Sequence, residues 1–300
     1  MEYAEIRFEP AGSATLMVGT KSQGQGHETM YRQIACERLG ISPDDLRVVE
    51  GDTDAVAYGA GSFGSRSAAI GGSALWTAAD KIIAKGKRIA AHLLEAAESD
   101  VAFAAGRFSI AGTDRAVSLK EVARASFAFA SLPKGIEPGL FEHATFSPVQ
   151  ETFPNGTHVC EVEVDPDTGS VDLLNYIVVD DVGTEINPLT LHGQVVGGIV
   201  QGLGQILMEQ IVYDPETGQL LTGSFMDYAM PRAGDLCNFE IGHNAVPTKL
   251  NPIGAKGAGE AGTVGALAAA MNAIVDAIGT SDIEMPATGE RLWRALQKKI

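Results

Sequence analysis

Residues 254–265 read GAKGAGEAGTVG, and Glu260 is the one acid in a run that otherwise holds small residues and Lys256. A glutamate just ahead of a helix is held ionised by the positive end of the helix dipole. Such a carboxylate can take a proton from a substrate or a water, as a general base does. The plainer reading is an ordinary acid in the first turn of a helix. The long bare stretch on both sides argues against it. Lys256, four residues earlier, can orient a substrate or serve Glu260 as a simple counter-charge.

Three more glycine clusters carry polar groups suited to ligands. In GSFGSRS, Ser62, Ser65 and Ser67 offer hydroxyls, and Gly61 and Gly64 expose amides. Arg66 in the same loop can fork onto a phosphate or carboxylate. A long helix follows, so this is an anion-friendly helix N-terminus. A structureless loop of this length is uncommon unless functional or disordered. In KSQGQGHET, Gln23, Gly24, Gln25 and Gly26 precede another helix, whose first amides can face an anion. Alone, that stretch reads better as a glycine turn before a helix capped by Thr and Glu. It matches neither a dinucleotide fingerprint nor a Walker loop. In HGQVVGGIVQGLGQ, five glycines lie in a helical pattern. Each costs about 1 kcal/mol relative to alanine, so close packing or close ligand approach must offset them. Gln194 has a donor and an acceptor for the edge of a heterocycle. His27, His92, His143, His158, His192 and His243 form no HxxxH or HExxH pattern, which disfavours a His-held metal.

The elements that must position these residues follow from periodicity. Alternation in EYAEIRFEP and GSATLMVGT, separated by Pro10–Gly12, predicts a hairpin. Met30, Ile34, Ala35 and Leu39 share a helical face that stops at Gly40. DLRVVE is a short strand, and 73–98 is a long amphipathic helix whose lysines are a solvated face. A second hairpin turns at Ala105–Gly106, and Ser118 with Glu121 makes a capping box. The stretch 131–142 reads as a crossover. Alternation around DPDTG at 165–169 predicts a strong hairpin, and YDPETGQL repeats that turn chemistry. Strand CNFEIGHN, a helix closed by Gly279, and a short C-terminal helix with a basic end at Lys298 and Lys299 complete the chain. Strands and helices do not alternate regularly. The expected class is α+β, mixed sheets with packed helices, in two closely associated halves divided as 1–140 and 141–300.

The chain has 300 residues and a net charge of −16, which disfavours nucleic acid or an anionic membrane as partner. No signal-type apolar stretch opens it, and the apolar runs are interrupted before spanning length. Cys36, Cys160 and Cys237 have no CxxC spacing and read as thiols in a reducing compartment, hence a cytoplasmic location.

Taken in order, GQGHET, GSFGSRS, NPxxxHGQxxGGxxQGxG and GxKGxGE resemble the molybdenum-hydroxylase family of xanthine dehydrogenases, aldehyde oxidases and aerobic carbon-monoxide dehydrogenases. The resemblance is to the C-terminal half of the molybdopterin-binding large subunit, over nearly the whole chain, and is strongest toward the carbon-monoxide-dehydrogenase-like branch. It implies a molybdopterin, in bacteria often the cytosine dinucleotide, whose molybdenum takes no protein ligand. It implies that Gln23, Gly24, Gln25 and Gly26 contact the cofactor, and that Ser62, Gly64, Ser65, Arg66 and Ser67 line the pterin or phosphate site. Gln194 would bond the pterin side, and Lys256 would count among the cofactor-binding residues. Glu260 would be the general base, poised near neutrality by partial burial, as a water-derived oxygen joins an aldehyde or N-heterocycle carbon.

The family's large subunit is more than twice this length, so the resemblance also implies partners. These are the N-terminal half of the molybdenum subunit, an iron–sulfur subunit and a flavin subunit carrying FAD. Alone, the chain is expected to hold little cofactor, to be inactive and to self-associate, a homodimer being one form. Two other readings compete: an assembly module without catalysis, and an unrelated nucleotide-phosphate-binding domain.

Overall fold

The computed structural model describes residues 1–298; Lys299, part of the expected basic end, and Ile300 lie outside the described residues. The chain forms two compact units. The first takes 1–152 together with 183–188 and 247–257, and the second takes 153–182, 189–246 and 258–300.

The first unit begins with the expected hairpin. Strands β1 (Glu2–Phe8) and β2 (Ala14–Val18) pair antiparallel, Ala4 opposite Val18. Strand β3 (Leu46–Glu50) joins β2 in parallel, so Glu50 lies beside Val18. Strand β7 (Phe141–Phe146) pairs with the other edge of β1, giving the order β3-β2-β1-β7. This pairing is why the division expected at 140/141 falls instead after Thr152: β7 is an edge strand of the first sheet. Helices α1 (His27–Leu39) and α2 (Ser73–Leu93) cover the sheet, burying Ile6, Phe8, Leu16, Leu39, Leu75 and Ile82 in one core. Helix α1 ends in a left-handed Gly40 whose amide bonds the Cys36 carbonyl. Helix α2 stops earlier than its apolar stripe suggests, and Glu95 follows at φ 47°. It is preceded by a π-helical stretch, Ser67–Gly72. Strands β4 (Val101–Ala104), β5 (Arg107–Ile110) and β6 (Ala116–Ser118) make a small meander. The capping box forms at the start of α3 (Leu119–Ala125).

In the second unit, β8 (Asn155–Val164) and β9 (Val171–Asp181) form the expected hairpin, closed by an Asp165 carboxylate that accepts from Asp167 N and Thr168 Oγ1, each at 2.8 Å. Strand β10 (Phe239–His243) adds to β9 in parallel. Helices α4 (Pro188–Leu207), α5 (Ala261–Ile278) and α6 (Gly289–Gln297) supply Val195, Ile199, Ala266, Ile274 and Leu292 to a second core with Tyr176 and Val178. The turn at Asp214 forms as the first does, with Tyr213 bridging Leu220 and Leu221 N donating to the Val212 carbonyl at 2.8 Å. Among the described residues this short hairpin belongs to none of the three sheets. By length and composition alone, α5 is the one described helix able to cross a membrane; its Ala266, Ala270 and Ile274 are buried in the second core.

Candidate functional site

The first loop links β2 to α1 and is folded on itself. Gln23 N donates to Gln25 Oε1 at 2.5 Å, and Gln25 Nε2 donates back to Gln23 Oε1 at 2.8 Å. Gly24 at φ 106° and Gly26 at φ 82° occupy left-handed backbone that other residues rarely adopt. A side chain at Gly24 would meet nothing within 4 Å.

The second loop is stitched to the first. Ser62 Oγ donates to the Lys21 carbonyl at 2.7 Å and accepts from Lys21 N at 3.2 Å. Ser67 Oγ donates to Ser62 Oγ at 3.1 Å. Gly61 N reaches the Gly19 carbonyl at 3.1 Å, and a Cβ on Gly19 or Gly59 would overlap the opposing backbone. Ser65 carries φ 53°, a strained value for a residue with a side chain. Gly61 and Gly64 are left-handed, and space beside them is open.

Arg66 was expected to meet an external anion, and its guanidinium instead meets Glu2. That carboxylate is fully buried, Arg66 is nearly so, and the two form an ion pair. Arg66 also donates to the Met1 and Gly61 carbonyls. A buried carboxylate requires such a partner, which explains why the arginine turns inward.

The loop with Lys256 reaches the same place. Thr184 N and Thr248 N both donate to the Gly254 carbonyl at 3.0 Å, and Gly183 bridges Ala255. A Cβ on Gly257 would overlap the Ser65 carbonyl. Three loops expected to meet a ligand therefore meet one another in the first unit, and Lys256 sits half-buried among them.

Glu260 and Gln194 belong to the second unit. Glu260 is the residue from which α5 springs, and it is exposed. Partial burial was expected of the base, and among the described residues Glu260 is exposed instead. The glycines of α4 divide. Gly198 and Gly202 lie against Gly262, Thr263 and Ala266 of α5, and Thr263 Oγ1 donates to the Gly198 carbonyl at 2.9 Å. The packing is helix on helix rather than helix on sheet. Gly193 and Gly197 have open space, and half-buried Gln194 stands between them.

Sequence reasoning missed the buried polar groups behind the loops: Glu2, Glu50, Thr20, His27 and Tyr31. Their sequence signal was slight, an acid at the end of a strand and a histidine after a glycine turn. A hollow of ≈ 450 Å³ in the second unit, lined by Ser170, Asp172 and Asp235 among others, contains none of the expected residues. Among the described residues, no three His, Cys, Asp or Glu side chains group to hold a metal ion.

The first two loops offer hydroxyls, amides, Lys21 and no acid between 20 and 27 or 61 and 67. Left-handed glycines with clear space give room for a bulky group. That donor set fits an anionic, heterocyclic cofactor held by hydrogen bonds. A family model described as molybdopterin cofactor-binding domain matches residues 1–237. The chain belongs to this molybdopterin-binding family. It is 41% identical over 295 residues to the carbon monoxide dehydrogenase large chain of Afipia carboxidovorans, covering 97% of this chain and 36% of that one. It is 40% identical over 297 residues to the nicotine 6-hydroxylase large subunit of Paenarthrobacter nicotinovorans, covering 97% and 36%. The solved structure of reconstituted CO dehydrogenase from Oligotropha carboxidovorans superposes with a TM-score of 0.93 at 40% identity, covering 99% of this chain and 37% of that one. The molybdopterin-binding chain described here thus spans little more than a third of these relatives. Its mixed sheets and helices are those of the molybdenum-hydroxylase large subunit.

Proposed function

We propose that this chain is the part of a molybdenum hydroxylase that cradles the molybdopterin and presents the general base, in an enzyme oxidising an aldehyde or an N-heterocycle. The observation that carries the reading is the meeting of the 20–27, 61–67 and 254–257 loops, stitched by Ser62 and Gly257, beside left-handed glycines that face open space. The cofactor, when bound, supplies the two-electron redox chemistry. Gln23, Gly24, Gln25 and Gly26 orient it from one side; Ser62, Gly64, Ser65 and Ser67 hold its pterin or phosphate end. Arg66 keeps that second loop in place through Glu2. Gln194 bonds the pterin edge, and Lys256 orients the substrate. Glu260 accepts the proton released as water-derived oxygen is transferred.

The cytosine dinucleotide form belongs to this reading, as do an N-terminal partner half that covers Glu260, iron–sulfur and FAD-bearing subunits, a cytoplasmic location and self-association of the chain alone. The complete subunit is tested with its partner chains by metal analysis, nucleotide release and aldehyde or N-heterocycle oxidation. Glu260→Gln is expected to lower kcat by at least ~10²-fold with molybdenum content unchanged. Full activity in that variant removes Glu260 as the base. A wild-type complex without molybdenum favours the assembly-module reading.

A further inference from the structure

The first loop is closed at both ends by one carboxylate. Glu50, the last residue of β3, is 7% exposed at its side chain. Thr20 Oγ1, just after β2, donates to Glu50 Oε1 at 2.5 Å. His27 Nδ1, at the first residue of α1, meets the same oxygen at 2.9 Å. An ionised carboxylate only accepts, so the imidazole donates through Nδ1. The residues between these two contacts include the left-handed Gly24 and Gly26, which have much conformational freedom to lose. Glu50 itself is fixed, because it pairs with Val18 in the parallel β2–β3 ladder.

The same network reaches the second loop. Tyr31 is fully buried one turn into α1, with its hydroxyl 2.8 Å from Thr20 Oγ1. That hydroxyl also lies 3.1 Å from the Ser67 carbonyl; with the Thr20 proton spent on Glu50, the single Tyr31 proton is shared between Thr20 Oγ1 and this carbonyl. A Cβ at Gly71 would strike the Tyr31 hydroxyl, so the π-helical stretch is seated on it. The Glu50, Thr20, His27 and Tyr31 side chains face one another rather than a ligand. They stand behind the residues proposed to hold the cofactor.

We propose that Glu50 is a positioning residue that clamps both ends of the Thr20–His27 loop and, through Thr20 and Tyr31, sets the Ser67 end of the second loop, so that both are held ready for the cofactor. The inference rests on the cofactor reading for its purpose and on the hydrogen bonds for its mechanism. The two are separable by experiment.

The test uses the complete subunit with its partners, with and without cofactor, and reads amide exchange by peptide together with molybdenum content. In Glu50→Ala, exchange over 20–27 is expected to rise about ten- to hundredfold, as loss of a charge-assisted buried bond allows. Peptides of β1 should keep their wild-type rates, and molybdenum content should fall in parallel with the loop's protection. Glu50→Gln keeps an acceptor for Thr20 and should restore part of the protection and part of the metal. Tyr31→Phe removes one oxygen and should loosen 65–72 while leaving the His27–Glu50 end protected. Wild-type exchange over 20–27 in Glu50→Ala overturns the proposal, as does an equal rise across β1. If the cofactor-free variants behave as expected but even the wild type takes up no molybdenum, the clamp stands and the cofactor reading fails.

Discussion

A thiol's reactivity depends on how readily it becomes a thiolate, and burial in this chain opposes that change. The Cys160 thiol is pushed up to about 11, first by burial and second by nearby Cys237. At about pH 8, roughly one molecule in a thousand carries the thiolate at such a site, against a substantial fraction for an ordinary thiol. Iodoacetamide should therefore label Cys160 about a hundredfold more slowly than a free thiol, with the rate rising about tenfold per pH unit until the thiol's own range. Labelling at the free-thiol rate near neutrality, read by mass spectrometry on the folded chain, would contradict the buried setting. The spacing of Cys36, Cys160 and Cys237 says nothing of burial. The same limit applies to Arg66. Its type announced an anion partner, and the partner is the Glu2 carboxylate, 64 residues away in sequence. Glu50 was invisible for a related reason: its importance comes from two groups that the fold brings to one oxygen.

At the scale of elements, local chemistry was the most readable. The first hairpin, the Gly40 and Gly279 helix ends and the Ser118–Glu121 capping box depend on neighbours within a few residues, and each is present. The parallel pairing of β3 on β2 and of β10 on β9, and the π-helical stretch before α2, depend on distant contacts and had no local signal. The glycines of α4 show how sequence leaves a choice that packing settles. At Gly193 and Gly197 an added methyl meets nothing, whereas at Gly262 of α5 it would overlap the Val195 carbonyl of α4. Gly193→Ala and Gly197→Ala should each stabilise the chain by about 0.5–1 kcal/mol through helix propensity. Gly262→Ala should destabilise it by about 1–3 kcal/mol, because the two helices must move apart. Denaturant midpoints of the three variants check both signs. A stabilised Gly262→Ala would mean that α4 and α5 do not approach as closely as described. Should the open positions lose molybdenum while gaining stability, Gly193 and Gly197 serve the cofactor or a partner, which is the cost of a bare helix face.

At the scale of the molecule, the first unit is not a continuous stretch of chain. Its core is built mainly from the N-terminal half, yet Ile186 and Ile253 pack against that core from the two returning segments. Gln33 Nε2 donates to the Ile186 carbonyl at 3.1 Å, and Asn187 Nδ2 donates to Gln33 Oε1 at 2.7 Å. Any Cβ at Gly72 would meet the Ile253 methyl, and Gly257 lies on the Ser65 carbonyl. Composition shifts suggested a boundary in the proline- and glycine-rich stretch 131–142, but a composition shift cannot reveal that later segments come back. A fragment ending at Thr152 thus lacks two partly buried isoleucines and the backbone that covers the second loop. Burying such side chains contributes about 1.5–3 kcal/mol each when complete, so the fragment should be less stable by about 2–4 kcal/mol than one in which 183–188 and 247–257 are joined back by Gly/Ser linkers. Amide exchange over 61–67 should be fast in the short fragment and slow in the rejoined one, since Gly257 no longer covers Ser65 in the former. Equal denaturant midpoints and equal exchange in the two would show that the returning segments merely lie on the surface. A difference confined to 61–67 would assign them to the loop alone, and a difference in both would make the Lys256 loop a structural member of the unit whose ligand-facing loops it completes.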